Sequence, residues 1–191
     1  MAISYIGRTD LPRGIRNNNP GNIKVGDAWQ GKTGQDGPFI TFQDIDWGLR
    51  ALARDLTNKI NEGYNTITGL ITRYAPPVNE AGAFENDTSA YIAAVASNTG
   101  IDPGEILGTD ADTIGSLMRA ITTHENGDVA VSLIPDTDIQ NGISMAGNPG
   151  TIIQATGIAV QSAVQQVPGG SGTVLLLLAG VVGYYYFFRK K

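Results

Sequence analysis

Glu125 lies in "AITTHENGD", on the last turn of a predicted helix that stops at Gly127. Carboxylates favour helix starts, because the C-terminal end of a helix carries partial negative charge. A carboxyl group at that end gains nothing from the dipole and keeps its proton more readily. That is the property of a general acid working near neutral pH. Taken alone, a glutamate at a helix end is better explained by solvation or a local pair. Its company elsewhere in the sequence favours chemistry.

That company begins with "RGIRNNNPGNIKVGDAWQG", Arg13 to Gly31. Asn17, Asn18, Asn19 and Asn22 supply both hydrogen-bond donors and acceptors. Asn19-Pro20-Gly21 predicts a turn, and asparagines in a turn bond their own backbone. Four amides in six positions exceed what one turn requires. With Trp29, Trp47 and Tyr91 they form a set suited to polysaccharide: amides for hydroxyl and acetamido groups, flat rings for sugar faces. Trp47 opens an apolar helix and reads as core. Trp29, in a polar glycine-rich loop, is the ligand candidate. Arg13, Asn17, Asn18, Asn19, Asn22 and Trp29 are therefore the candidate substrate contacts.

Glu85, in "FENDTSAYI", is the alternative acid. It precedes a helix start, where the dipole favours the anion, so it suits a second carboxylate better than a proton donor. Glu125 is preferred as acid/base, with Tyr91 placed to orient it or the substrate.

Other chemistries are excluded by composition. The 191 residues include no Cys and one His. There is no disulfide frame, thiol nucleophile or Cys-ligated metal, and no multi-histidine zinc site. All eighteen acids precede residue 139, with all but three of the thirteen bases. A segment that acidic is a poor partner for nucleic acid.

The elements that must position these residues are mostly helical, after a short β-like start. Runs 23–25 and 39–42 are apolar and separated by glycine-rich turns, which predicts a small hairpin. Asp44 or Asp46 caps a helix carrying Leu49, Leu52, Leu56 and Ile60, stopped at Gly63. Thr66 caps a second with Ile67, Leu70, Ile71 and Tyr74, ended by Pro76-Pro77. Asp87 or Thr88 starts a third with Tyr91, Val95 and Ala96, ending near Gly100. Asp102-Pro103 predicts a short fourth. Asp110 or Asp112 starts a fifth with Ile114, Leu117, Met118 and Ile121. The fold class is mainly α (α+β), with the domain spanning residues 1–138.

Residues 139–188 carry no charge. Residues 139–172 read as a linker. Within it "TIIQATGIAVQSAVQQV" has helical spacing, with Gln154, Gln161 and Gln165 on one stripe. It suits a helix on a membrane surface or packed on copies of itself, and equally a mobile stalk. "PGGSG" then forms a flexible joint. Thr173 to Phe188 is almost wholly apolar and precedes Arg189, Lys190 and Lys191. At about 1.5 Å per residue it reaches roughly 24 Å, near the ~30 Å of a hydrocarbon core. Tyr184 to Tyr186 fit an aromatic belt and residues 189–191 a basic tail, so 173–188 is expected to be a transmembrane helix. Residues 1–10 contain no apolar export signal. Insertion from the C-terminal side is the expected topology, with the domain on the cytoplasmic face.

A resemblance adds to this reading. "RGIRNNNPGNIKVGDAWQG", "FITFQDIDWGLRALARDL", "YAPPVNEAGAFENDTSAYIAAVA" and "AITTHENG" together resemble a family of phage and prophage proteins. Its members are described as virion-associated peptidoglycan-degrading or structural proteins. The likeness covers Arg13 to Gly127. The order N-x-x-N-I-K, then W, then F-x-x-F is also similar to the segment after the catalytic glutamate in bacterial glucosaminidases of lysozyme-like fold. There the glutamate helix end comes first; here "HENG" comes last. The resemblance therefore implies a circularly permuted lysozyme-like domain, with Glu125 carried over by motif and helix-end position.

It also implies cleavage of glycan-strand bonds in peptidoglycan during host penetration, by a protein held in a virion membrane and, during assembly, in the host cytoplasmic membrane. Other virion proteins or copies of itself are implied partners. A lytic transglycosylase needs one carboxyl group, which protonates the glycosidic oxygen and then assists attack by the muramoyl 6-hydroxyl. A muramidase or glucosaminidase that hydrolyses usually needs a second carboxylate. One strong acid and one weaker one favour the transglycosylase. Neither scheme requires a metal or cofactor. The alternative is a non-catalytic virion membrane protein with a wall-binding lysozyme-like domain.

Overall fold

A computed structural model describes residues 3–79 and 81–147. The elements are α1 (Arg13–Arg16), β1 (Lys32–Asp36), β2 (Phe39–Phe42), α2 (Ile45–Asn61), α3 (Ile67–Tyr74), α4 (Thr88–Thr99), α5 (Ala111–Asn126), α6 (Val129–Leu133) and α7 (Asp136–Ala146). The described part is mainly helical with one two-stranded antiparallel sheet.

Four helices start on side-chain caps. Asp44, Thr66, Asp87 and Asp110 each accept a backbone N–H from three residues on, satisfying a donor that the helix itself leaves unpaired. Of the paired alternatives, the first residue is the cap each time. The expected helix faces are the buried ones: Leu49, Leu52 and Leu56 on α2, Leu70 and Ile71 on α3, Ile114, Leu117 and Ile121 on α5 are fully buried.

Three expectations are corrected. The hairpin pairs Lys32–Asp36 with Phe39–Phe42, while residues 23–25 contribute only a single bridge, Lys24 to Phe39. The strand "KTGQD" is polar and largely exposed, so it has no apolar alternation to betray it. Asp102-Pro103 forms a turn rather than a helix. Its Pro103 carbonyl is taken by both the N–H and the hydroxyl of Thr68, at 3.0 Å each, which ties the turn to the start of α3. The boundary at residue 138 falls inside α7, whose Ile139, Ile143 and Ala146 are buried in the core.

The absence of charge after residue 138 made this helix look like linker. Its packing is intimate: a methyl added at Gly142 would lie 2.6 Å from Leu49 Cβ. Arg50 Nε and Arg54 Nη1 donate to the Met145 and Ala146 carbonyls, where cations offset the negative end of α7. No helix among the described residues is long and apolar enough to cross a membrane. The expected transmembrane segment 173–188, the basic tail and residues 148–172 of the expected linker lie outside the described residues.

Candidate functional site

The asparagine-rich stretch follows the single turn of α1 and is held by its own amides. Asn18 and Asn19 are completely buried. Asn18 Oδ1 accepts from Tyr5 N at 2.8 Å, and its Nδ2 donates to Ser4 Oγ and to the Phe42 and Gln43 carbonyls. Asn19 Nδ2 donates to the Ile23 and Ile40 carbonyls at 2.9 Å, and its Oδ1 accepts from Ile23 N at 2.8 Å. Asn17, also buried, donates to Asp36 at 3.1 Å.

These three asparagines are thus not substrate contacts. They fasten the N-terminal segment and the hairpin together, because the irregular backbone there has no helix or sheet to satisfy it. Asn18 and Asn22 have φ of 52° and 49°, a region asparagine tolerates better than most residues. Arg13 lies beside the hairpin, with its side chain 51% exposed, and does not line the cleft described below. Its guanidinium lies 5.2 Å from the Phe39 ring centre and 3.8 Å from Asp36.

Asn22 behaves differently. Its Nδ2 donates to Glu125 Oε2 at 2.6 Å, across 103 residues of sequence. Tyr91 OH donates to the other oxygen, Oε1, at 2.8 Å. Asn126, next to the glutamate, donates to the Pro20 carbonyl at 2.8 Å and so docks the turn onto the end of α5. Glu125, Asn22 and Tyr91, from three distant parts of the chain, therefore form one constellation around a half-buried carboxyl group.

The tyrosine is itself positioned. Its ring stacks on His124 at 3.7 Å and meets the edge of Tyr74 at 6.5 Å. Burial, then Tyr74 and Glu125, push its phenol well above the usual range, so it remains a donor. Burial, then Glu125 and Asp55, do the same for Tyr74. The Tyr74 hydroxyl donates to the Gly21 carbonyl, beside Asn22. Tyr74 was legible only as part of an apolar helix face.

Asn22 Oδ1 is buried and has no partner. With Nδ2 toward Glu125 the amide serves a carboxylate. Turned over, Oδ1 would accept a hydrogen bond from a protonated carboxyl, since an amide offers a donor and an acceptor of nearly equal shape. One residue can thus accompany Glu125 through loss and gain of a proton.

Asn22 also lines a cleft of about 880 Å³. Trp29 lines it, half-buried, with Lys24 and Asp27 from the same loop. Asp55 and Lys59 of α2, Arg73 and Tyr74 of α3, and Glu85 line the rest of its charged and aromatic wall. Trp47 is half-buried against the core and does not line the cleft. Glu85 accepts a hydrogen bond from Lys24, an ion pair joining two loops.

Asp55 is a cleft carboxyl that sequence reasoning missed. Its proton affinity is raised, first by burial, with Asp27 adding to the rise and Lys59 and Arg73 opposing it. Lys59 pairs with it one helical turn away. In sequence, such an i,i+4 pair reads as an ordinary solvated helix face. No three His, Asp or Glu side chains among the described residues converge as a metal site would require.

No protein-family model matches the chain. Over 125 residues it is 38% identical to Protein P5 of Pseudoalteromonas phage PM2, covering 62% of this chain and 73% of that protein.

Proposed function

Because the chain belongs to the family of Protein P5 of phage PM2, we propose that it is a virion-associated protein whose described domain binds and cleaves glycan strands of peptidoglycan. The observation that carries this is the convergence of Asn22 and Tyr91 on the two oxygens of Glu125, with Asn22 shared by the cleft. In this reading Glu125 is the acid/base, and Asn22 and Tyr91 orient it. Trp29 offers a ring face to sugar. The domain is a permuted lysozyme-like unit, with the turn that receives the glutamate preceding it in sequence.

The reaction is a lytic transglycosylation. Glu125 protonates the glycosidic oxygen, and the resulting carboxylate takes the proton of the muramoyl 6-hydroxyl as it attacks the anomeric carbon. The apolar run 173–188 holds the protein in a lipid membrane, on the sequence argument given above.

One observation favours a second reading, a wall-binding structural protein without chemistry. Both oxygens of Glu125 already accept hydrogen bonds within the protein. Digestion of purified sacculi by the full chain, followed by separation of released muropeptides, distinguishes the two. Release of 1,6-anhydromuramoyl products, lost in Glu125→Gln, supports the transglycosylase. Co-sedimentation without release supports the structural protein.

A further inference from the structure

The cleft wall carries more charge than a glycan needs. Amides and rings suffice for sugar hydroxyl and acetamido groups, and Asn22 and Trp29 supply them. Yet Lys24, Asp27, Asp55, Lys59, Arg73 and Glu85 all line the same space. Four of these neutralise one another: Lys24 with Glu85, and Lys59 with Asp55.

Asp27 and Arg73 remain. Both are exposed. Among the described residues neither forms an ion pair, although Arg73 lies 5.8 Å from the Tyr64 ring centre. Both line the cleft that Asp55 also lines. The cleft thus presents one anion and one cation that form no salt bridge among the described residues. A neutral saccharide would leave both unmatched. Their complement is a ligand bearing both a carboxylate and an ammonium.

Resting on the peptidoglycan reading above, we propose that the cleft selects peptide-bearing glycan over bare glycan, with Arg73 receiving a carboxylate of the peptide stem and Asp27 its free ammonium. Arginine suits this role because its planar fork matches a carboxylate with two parallel donors. In a partly enclosed cleft such pairs are screened less than on open surface. Specificity arises because a bare strand offers at most a lactyl carboxylate and no ammonium, so it never matches both charges.

The test is a calorimetric titration of the full chain in detergent micelles with two ligands: a muramoyl tetrasaccharide carrying tripeptide stems that end in a free diamino acid, and the same tetrasaccharide with its stems removed by an amidase and the lactyl carboxyls it exposes capped as methylamides. The Glu125→Gln background prevents turnover. The peptide-bearing ligand is expected to bind at least tenfold more tightly. Asp27→Asn combined with Arg73→Gln should bring it to the affinity of the bare ligand and leave the bare ligand unaffected. Both side chains are exposed, so the double variant should melt as the parent does. Equal affinity for the two ligands, or a double variant that still discriminates, overturns the stem assignment and leaves glycan binding standing. Binding of neither ligand overturns the peptidoglycan reading and this inference with it.

Discussion

At the scale of single residues, asparagines of one short stretch divide into two kinds. Asn18 closes four hydrogen bonds in a fully buried position. Asn18→Ala leaves Tyr5 N and the Phe42 carbonyl without their partner and keeps a backbone with φ of 52°. A buried polar group left unpaired costs ~1–3 kcal/mol, so a total loss of roughly 3 kcal/mol is expected in urea melts. Asn22→Ala should lose wall cleavage instead, with a stability change of about 1 kcal/mol, because it leaves only one partner. Equal stability losses in the two variants would make the whole stretch scaffold. Glu125→Gln should reduce muropeptide release at least a hundredfold, the usual scale for general acid catalysis, with an unchanged melting curve. Glu85 is paired with Lys24, so Glu85→Gln should retain most activity. The reverse pattern would exchange their roles.

At the scale of elements, α7 belongs to the domain. A chain cut after Asp138 loses Ile139 and Ile143, buried isoleucines of the kind whose truncation costs ~2–5 kcal/mol each. It also exposes the face of α2 on which they rest. Such a fragment is expected to unfold or aggregate, whereas one ending at Gly147 should melt cooperatively. Comparable melting of both fragments would show α7 to be dispensable. Asp110 illustrates a pH effect at a helix start. The Thr113 backbone N–H, then the Thr113 hydroxyl, hold its carboxyl below the ordinary 3.8. A lowered native value means that the ionised cap contributes fully above pH 3.8 and is lost as pH falls through the native value. Asp110→Ala should cost about 1 kcal/mol at neutral pH. The gap between wild type and variant should narrow in melts at progressively lower pH below that point. A gap that stays constant into acid would mean that charge contributes nothing to this cap.

At the scale of the whole molecule, an acidic domain precedes an uncharged stretch ending in three bases. The full chain is expected to sediment with membranes and to resist carbonate and high salt, since apolar burial responds to neither. The fragment ending at Gly147 should remain in the supernatant. Carbonate release of the full chain would rule out residues 173–188 as a span. The long reach of the site also belongs to this scale. The turn near residue 20, the tyrosine at 91 and the glutamate at 125 meet only because α5 ends where that turn docks through Asn126.

Sequence alone determined what local physics controls. Caps and stops are adjacent residues, so Asp44, Thr66, Asp87 and Asp110 could be read as helix starts, and the 3.6-residue spacing of Leu49, Leu52 and Leu56 identified a buried face. Glu125 stood out because a carboxylate at a helix end opposes the dipole. What side chains far apart in the chain do to one another was not legible. Composition shows four asparagines as equally polar, but only packing separates Asn18 and Asn19, enclosed by carbonyls of β2 and its flanks, from Asn22, turned toward Glu125. Likewise, Asp55 reads as one half of a helix-surface pair until α3 and the Trp29 loop close over it. An uncharged segment reads as linker until Gly142 is seen against Leu49, because its small, apolar surface acquires meaning only from the helix it covers.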